Sequence, residues 1–214
     1  MTAAGRIVAG IDEAGRGALA GPVVAGACVL RAELFAVRGG GWSPLRRNKS
    51  SCVIADSKQL TPEQRGRAFA WITAHCAWGV GMADAAEIER IGILRANEQA
   101  MRRAVEHLRT ALEPALLRID GSDNFRFTVP HKSIVRGDQT EPEIAAASII
   151  AKCTRDRLMV AAHAEYPAYG FDRHKGYGSA EHIAAIRTHG PCALHRPYFL
   201  TRILNPEPRL SLIF

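Results

Sequence analysis

The sequence predicts a mixed α/β fold in a single domain of 214 residues. Three observations carry this. Two runs rich in Val, Ile and small residues open the chain in quick succession, separated only by a glycine-rich piece, as an antiparallel pair requires. Strand-like and helical patterns then alternate. The composition, 47% hydrophobic and 23% charged, fits a soluble chain long enough to bury a core without staples.

In chain order, "RIVAGIDEA" and "PVVAGACVLR" read as the two opening strands. "AVRGGGWSPLRRNKSS", residues 36–51, reads as a surface loop from its glycines, serines and basic residues. "LTPEQRGRAFAWITAHCAW" starts a helix, with Thr61 as cap, Pro62 in the first turn and Gln64 three residues after the cap. "WGVGMAD" predicts a short strand. Residues 85–112 predict helix with a break near Gly92, and "ALLRID" a buried strand ending at Asp120, with "DGSDN" as the turn after it. "TEPEIAAASIIAKCTRDRLMVAAHAEY" predicts a long helix capped by Thr140, with Glu143 three residues on. The tail, rich in Gly, Pro, His and aromatics, predicts one more helix near 179–189.

The formal net charge of +7 favours a polyanionic partner, nucleic acid first, with plain solubility as the alternative. No apolar run reaches the roughly 20 residues of a membrane helix and the N-terminus has no signal-peptide pattern, which points to the cytoplasm and to no membrane partner. Five cysteines without a CxxC spacing argue against a disulfide framework or a zinc ribbon, and read as small, mostly buried apolar residues. There is no GxxxxGK[ST], no GxSxG and no HExxH. His174, His182, His189 and His195 gather loosely in the tail, where surface or substrate-facing roles fit better than metal ligation.

Acids fall where strands end. Asp12 and Glu13 close the first strand, Asp120 closes "LLRID", and Asp138 precedes the long helix. A carboxylate at the end of an apolar strand is costly unless a cation pairs it, and the partner is either Arg or Lys or a metal. Mg²⁺ and Mn²⁺ prefer such oxygen ligands, and four converging acids could hold two ions about 3.5–4 Å apart for phosphodiester hydrolysis. Neighbouring strand residues face opposite ways, so Asp12 and Glu13 share a site only if the strand ends or twists there. Taken alone, Asp120 reads more readily as a turn residue before glycine, and Asp138 as a turn acid before a helix.

"GIDEAGRGALAGPVVAGACVL", "ADSKQLTPEQR", "LLRIDG", "VRGDQTEPEIAAASIIAKCTRDRLM", "YGFDRHKGYGSAEH" and "HGPCALHRPYF" occur in this order across residues 7–199. Together they resemble the ribonuclease HII (type 2 ribonuclease H) family. The resemblance implies a ribonuclease H-like fold: a mixed five-stranded sheet flanked by helices, with a helical, substrate-binding C-terminal portion from about 166. It implies cleavage of the RNA strand of RNA–DNA hybrids, and incision 5′ of single ribonucleotides in duplex DNA. The family's metal ligands carry over to Asp12, Glu13, Asp120 and Asp138, holding Mg²⁺ or Mn²⁺, two ions per site. Its GRG motif matches Gly15, Arg16 and Gly17, its DSK motif Asp56, Ser57 and Lys58, and its sugar-stacking tyrosine Tyr177.

Ala18 stands where proline is commoner, which would loosen that turn, and Gln59 stands where a second lysine is usual, which removes a phosphate-steering charge. The 36–51 loop is long for the family, and "HRPYF" replaces a more polar sequence. The related ribonuclease HIII family carries an extra N-terminal domain, for which a first strand beginning by Arg6 leaves no room. A non-catalytic duplex-binding protein would have little reason to set four acids near bound phosphates. The apolar ending "LSLIF" suits either a tail packed on a monomeric domain or a short peptide for a sliding clamp.

Overall fold

Residues 7–30, 35–38, 41–44 and 53–204 are described by a computed structural model. β1 (Val8–Ala14), β2 (Val23–Val29), β5 (Ala77–Ala83), β6 (Leu116–Asp120) and β7 (His131–Ile134) form one sheet in the order β5-β2-β1-β6-β7. The β1–β2 and β2–β5 pairs are antiparallel; β1–β6 and β6–β7 are parallel. The mixed five-stranded sheet is therefore present. β7 was not foreseen, because "HKSI" carries one apolar residue in four and sits at a sheet edge.

Helix α1 (Pro62–His75) begins as its sequence requires: Gln64 N donates to the Thr61 hydroxyl and Thr61 N donates to the Gln64 side chain. α2 (Ala85–Ile91) and α3 (Ile93–Arg109) are separated at Gly92, whose φ of 79° only glycine adopts freely. A single turn, α4 (Gly137–Thr140), precedes α5 (Pro142–Glu165). Here the expected cap is corrected. Thr140 ends α4, and Glu141 takes the cap position of α5 without a side-chain bond, because Pro142 fixes the first turn by itself. The chain closes with the short helix α6 (Phe171–His174), then α7 (Ala180–His189), capped by Ser179, and α8 (Pro197–Leu204).

Within the segment read as a loop, β3 (Phe35–Arg38) pairs with β4 (Gly41–Pro44) as an antiparallel ribbon. Part of the segment is therefore strand rather than loop; the remainder of 36–51 lies outside the described residues. Cys28 is fully buried, whereas Cys76, Cys153 and Cys192 are half-buried, and all four are free.

Small residues set the layer spacing. A β-carbon on Gly10 or Gly26 would lie 2.2–2.3 Å from the α5 backbone at Glu143 and Ala147. One on Gly79 or Gly81 would lie 2.2 Å from the α3 carbonyls of Ala104 and Ala100. Both helices therefore press directly on the sheet, α5 on one face and α3 on the other. Gly10 faces α5, so by alternation Asp12 does too, while Ala9 and Ile11 join the α3-side core. On β6, Leu117 and Ile119 belong to the α3 side, which leaves Asp120 on the α5 side.

Candidate active site

β1 and β6 run parallel with Ile11 opposite Ile119, so Asp12 and Asp120 emerge side by side at their carboxyl ends. Ligands favour this edge in open α/β sheets. Asp138 reaches the same place from α4. Its approach is shaped by Arg136, held at a left-handed φ of 55°, and by Gly137, whose N–H donates to Asp120 Oδ1 at 2.7 Å. Carboxylate oxygens of Asp12, Asp120 and Asp138 all lie within 4.8 Å of one another. Asp12 and Asp138 are buried. Burial pushes the Asp12 carboxyl well above the usual range, and Glu13 and Asp120 add to it. Burial likewise raises Asp138, followed by repulsion from Asp120 and Asp56. Three crowded acids, with Asp12 and Asp138 raised chiefly by desolvation, suit a hard divalent cation.

Glu13 stands beside this trio rather than within it. It leaves β1 on the α3 face, where Arg16 Nη1 is 3.6 Å away and Asn97 of α3 supports its charge. Burial still raises its carboxyl, and Asp120 contributes in the same direction. The strand does not end between the two acids, since Asp12 and Glu13 pair with Gly26 and Ala25 of β2. Glu13 approaches Asp120 from the opposite face.

Gly15, Arg16 and Gly17 form a turn at the rim. Gly15 has φ +90°, and a β-carbon there would lie 1.9 Å from Arg155 Nε; a β-carbon on Gly17 would meet nothing beyond its chain neighbours within 4 Å. Ala18 N donates to Gly15 O at 3.2 Å, so the turn closes without the proline usual at residue 18. Arg16 pairs with Asp123 at 2.6 Å. In the DSK stretch, Lys58 N donates to Asp56 Oδ1 at 2.9 Å, and Gln59 Nε2 donates to Asp56 Oδ2 at 3.4 Å, a tether in place of a charge. Ser57 is buried, its carbonyl accepting from Arg65. Lys58 is exposed, with Nζ 3.9 Å from Asp138 Oδ2. Tyr177 is exposed, its ring centroid 5.0 Å from Arg155 Cζ and 5.5 Å from Lys152 Nζ.

Two residues that matter to this rim were missed by sequence reading. Arg155 and Arg196 are wholly buried. Arg155 donates to the carbonyls of Pro22 (2.9 Å), Lys175 (2.8 Å) and Ala20 (3.0 Å). Arg196 donates twice to Gly21 O, at 2.9 and 2.7 Å, and to Arg16 O at 3.1 Å. Burial lowers both guanidinium pKa values, that of Arg196 to about 9. They staple the rim turn to α5 and to the C-terminal segment. A signal existed for Arg155: it follows Ile144, Ser148 and Ala151 at helical spacing on a buried face. Asp123, read only as part of a turn, is the anchor of Arg16.

The expected surface role of the tail histidines is corrected for two of them. His182 and His195 are buried, 3.1 Å apart between their Nε2 atoms, packed with Phe171 and Tyr169. His189 is exposed and His174 half-buried.

The family described as Ribonuclease HII matches residues 9–202. A ribonuclease HII of Sphingopyxis alaskensis is 46% identical over 199 residues, 93% of this chain and 91% of that protein. The crystal structure of ribonuclease H2 from Pyrococcus horikoshii aligns with a TM-score of 0.68 at 25% identity, covering 92% of this chain and 96% of that one. The ribonuclease HII of Archaeoglobus fulgidus, solved in complex with PCNA, aligns with a TM-score of 0.70 at 22% identity over 91% and 94% of the two chains.

Proposed function

This chain belongs to the ribonuclease HII family, metal-dependent nucleases acting on RNA–DNA hybrids, and on that premise we propose that it also incises duplex DNA on the 5′ side of a single embedded ribonucleotide. The observation that carries the reading is the convergence of Asp12, Asp120 and Asp138 within 4.8 Å, directly beside the Gly15–Gly17 turn. The three acids, with Glu13 alongside, would hold two divalent ions, Mg²⁺ or Mn²⁺. When bound, such ions supply an activated water and stabilise the leaving 3′-oxygen, giving 5′-phosphate and 3′-hydroxyl ends.

The remaining work falls to the chain's own side chains and backbone. Exposed Gly17, with no β-carbon, lets a nucleic-acid backbone come close enough for main-chain groups to read a 2′-hydroxyl. Lys58 meets a phosphate next to Asp138. Tyr177 offers its face to the following sugar, which need not be RNA. The sheet and the C-terminal helices from about 166 act as one domain and as a monomer in the cytoplasm. Among the described residues no helix is long and apolar enough to cross a membrane.

The test is a labelled duplex with one ribonucleotide. Wild-type protein with Mg²⁺ should nick it 5′ of that residue, and EDTA should stop the reaction. Tyr177→Ala should slow this substrate about tenfold or more, the scale of a lost stacking contact, and weaken duplex binding less. A wild-type enzyme that cuts long hybrids and leaves the single ribonucleotide intact would sink the reading in favour of ribonuclease HIII-type specificity.

Binding should weaken as salt rises, because phosphate contacts release counterions. Lys58→Ala should reduce the slope of log affinity against log salt by about one, and an unchanged slope would place Lys58 off the phosphate backbone. The tail "LSLIF" lies outside the described residues, and we assign it to a sliding clamp on its apolar character. Deleting residues 210–214 should abolish clamp binding and spare hydrolysis; unchanged clamp binding removes the assignment.

A further inference from the structure

The turn that carries Tyr177 is held by imidazoles, and their hydrogen bonds leave one arrangement of protons. Cys192 N–H can only donate, and it meets His195 Nδ1 at 2.9 Å. His195 Nδ1 is therefore the acceptor, and in a neutral ring the proton sits on Nε2. At the other end, the Tyr177 carbonyl can only accept, and it meets His182 Nδ1 at 2.9 Å. His182 therefore carries its proton on Nδ1 and presents a bare Nε2. The two Nε2 atoms face each other at 3.1 Å. Each end of the chain, taken separately, demands the same direction: Cys192 to His195 to His182 to Tyr177.

His174 obeys the same logic. Gly176 N donates to its Nδ1 at 3.2 Å, and its Nε2 donates to Tyr169 O at 2.7 Å. Its ring stacks on His182 with centroids 4.3 Å apart. A proton added to His182 or His195 would set two N–H groups against each other. Burial keeps both rings neutral, pushing His182 down to about 4. Both ends meet the segment after the rim turn: His195 forms an isolated antiparallel bridge with Ala20, and Gly176 O, next to Tyr177, accepts from Leu19 N and Ala20 N at 2.9 and 3.2 Å.

We propose that His182 and His195 form a directional hydrogen-bond relay that positions Tyr177 relative to the Gly15–Gly17 turn, and so sets the preference for a lone ribonucleotide over a long hybrid. They touch no reacting atom and are positioning residues. The inference rests on the substrate reading above.

Two experiments test it. In ¹⁵N spectra of the intact protein at pH 7, His182 should be the neutral Nδ1–H tautomer and His195 the neutral Nε2–H tautomer; the opposite assignment, or a charged ring, overturns the relay. This readout is independent of any substrate.

The second compares His182→Leu with His182→Asn, whose amide N–H occupies the place of Nδ1–H. The leucine variant should lower kcat/KM on the single ribonucleotide about tenfold relative to the long hybrid, the scale of one lost hydrogen bond in a positioned site. The asparagine variant should restore the ratio. Equal losses on both substrates, or no difference between the two variants, mean a purely structural pair. Failure of the wild-type enzyme on the single ribonucleotide would instead discard the substrate reading, and the tautomers would still stand or fall by themselves.

Discussion

Asp120→Asn is expected to abolish hydrolysis while leaving hybrid binding close to wild type. The substitution keeps the shape of the side chain and leaves an oxygen to accept from Gly137 N, now at 2.7 Å from Asp120 Oδ1, so α4 and Asp138 stay in place. What disappears is one negative charge from a trio within 4.8 Å. Breaking a charge pairing in a partly buried site costs on the order of 4 kcal/mol, about a thousandfold in rate. The overall basic balance of +7 is almost untouched, so affinity for the polyanion persists. Thermal unfolding separates the ligand role from a structural one. Without metal, the variant should melt no lower than wild type, because a like charge has been removed beside Asp12 and Asp138. Added Mg²⁺ should raise the wild-type midpoint and raise the variant's less. Retained turnover at saturating Mg²⁺ would show that Asp120 is not a ligand. Asp138→Asn should also be severe, with partial recovery in Mn²⁺.

The second large effect is expected from a single methyl group. Gly15→Ala would place a β-carbon 1.9 Å from Arg155 Nε at a φ of +90°. Arg155 cannot swing aside cheaply, since its guanidinium is bonded to three backbone carbonyls. Left-handed strain and overpacking each cost roughly 1–3 kcal/mol, and together they should lift the rim turn off its support. Cleavage of a single ribonucleotide should fall at least about a hundredfold, and the melting midpoint should drop by several degrees. Gly17→Ala is the control. Nothing in the protein lies within 4 Å of the added carbon, so its stability should match wild type. If Gly17 marks the place where nucleic acid approaches, its activity should still fall. A Gly17→Ala enzyme with unchanged kinetics would remove the close-approach role, and a Gly15→Ala enzyme with unchanged stability would contradict the packing against Arg155.

Much of this fold was legible from local chemistry. The capping box at Thr61, the break at Gly92 and the helix near 179–189 are short-range signals, and each appears where its residues require. Thr140 misled because a threonine followed three residues later by Glu143 imitates a capping box, whereas Pro142 had already fixed where the helix begins. β7 escaped because its pairing with β6, not its own side chains, makes it a strand. At the site, Asp12 and Asp120 could be picked out near strand ends, and Asp138 from its place before the long helix. The separation of Asp12 from Glu13 onto opposite faces could not, because it depends on β1 continuing to Ala14. Arg196, His182 and His195 were illegible for a shared reason. Each is a polar residue whose partners are main-chain atoms or one another, brought together by tertiary folding alone.

The bonds from Arg196 to Gly21 and Arg16 join positions 175 and 180 residues apart in the chain. During translation the sheet strands through Ile134, the acids through Asp138 and helix α5 all precede that arginine. The rim turn is therefore clasped only when nearly the whole described chain has left the ribosome, the slow, long-range kind of contact that limits folding. A polypeptide stalled before residue 196 would carry the acidic cluster without its clasp. The order of synthesis thus places the clasp of the rim turn after the acids it stands beside.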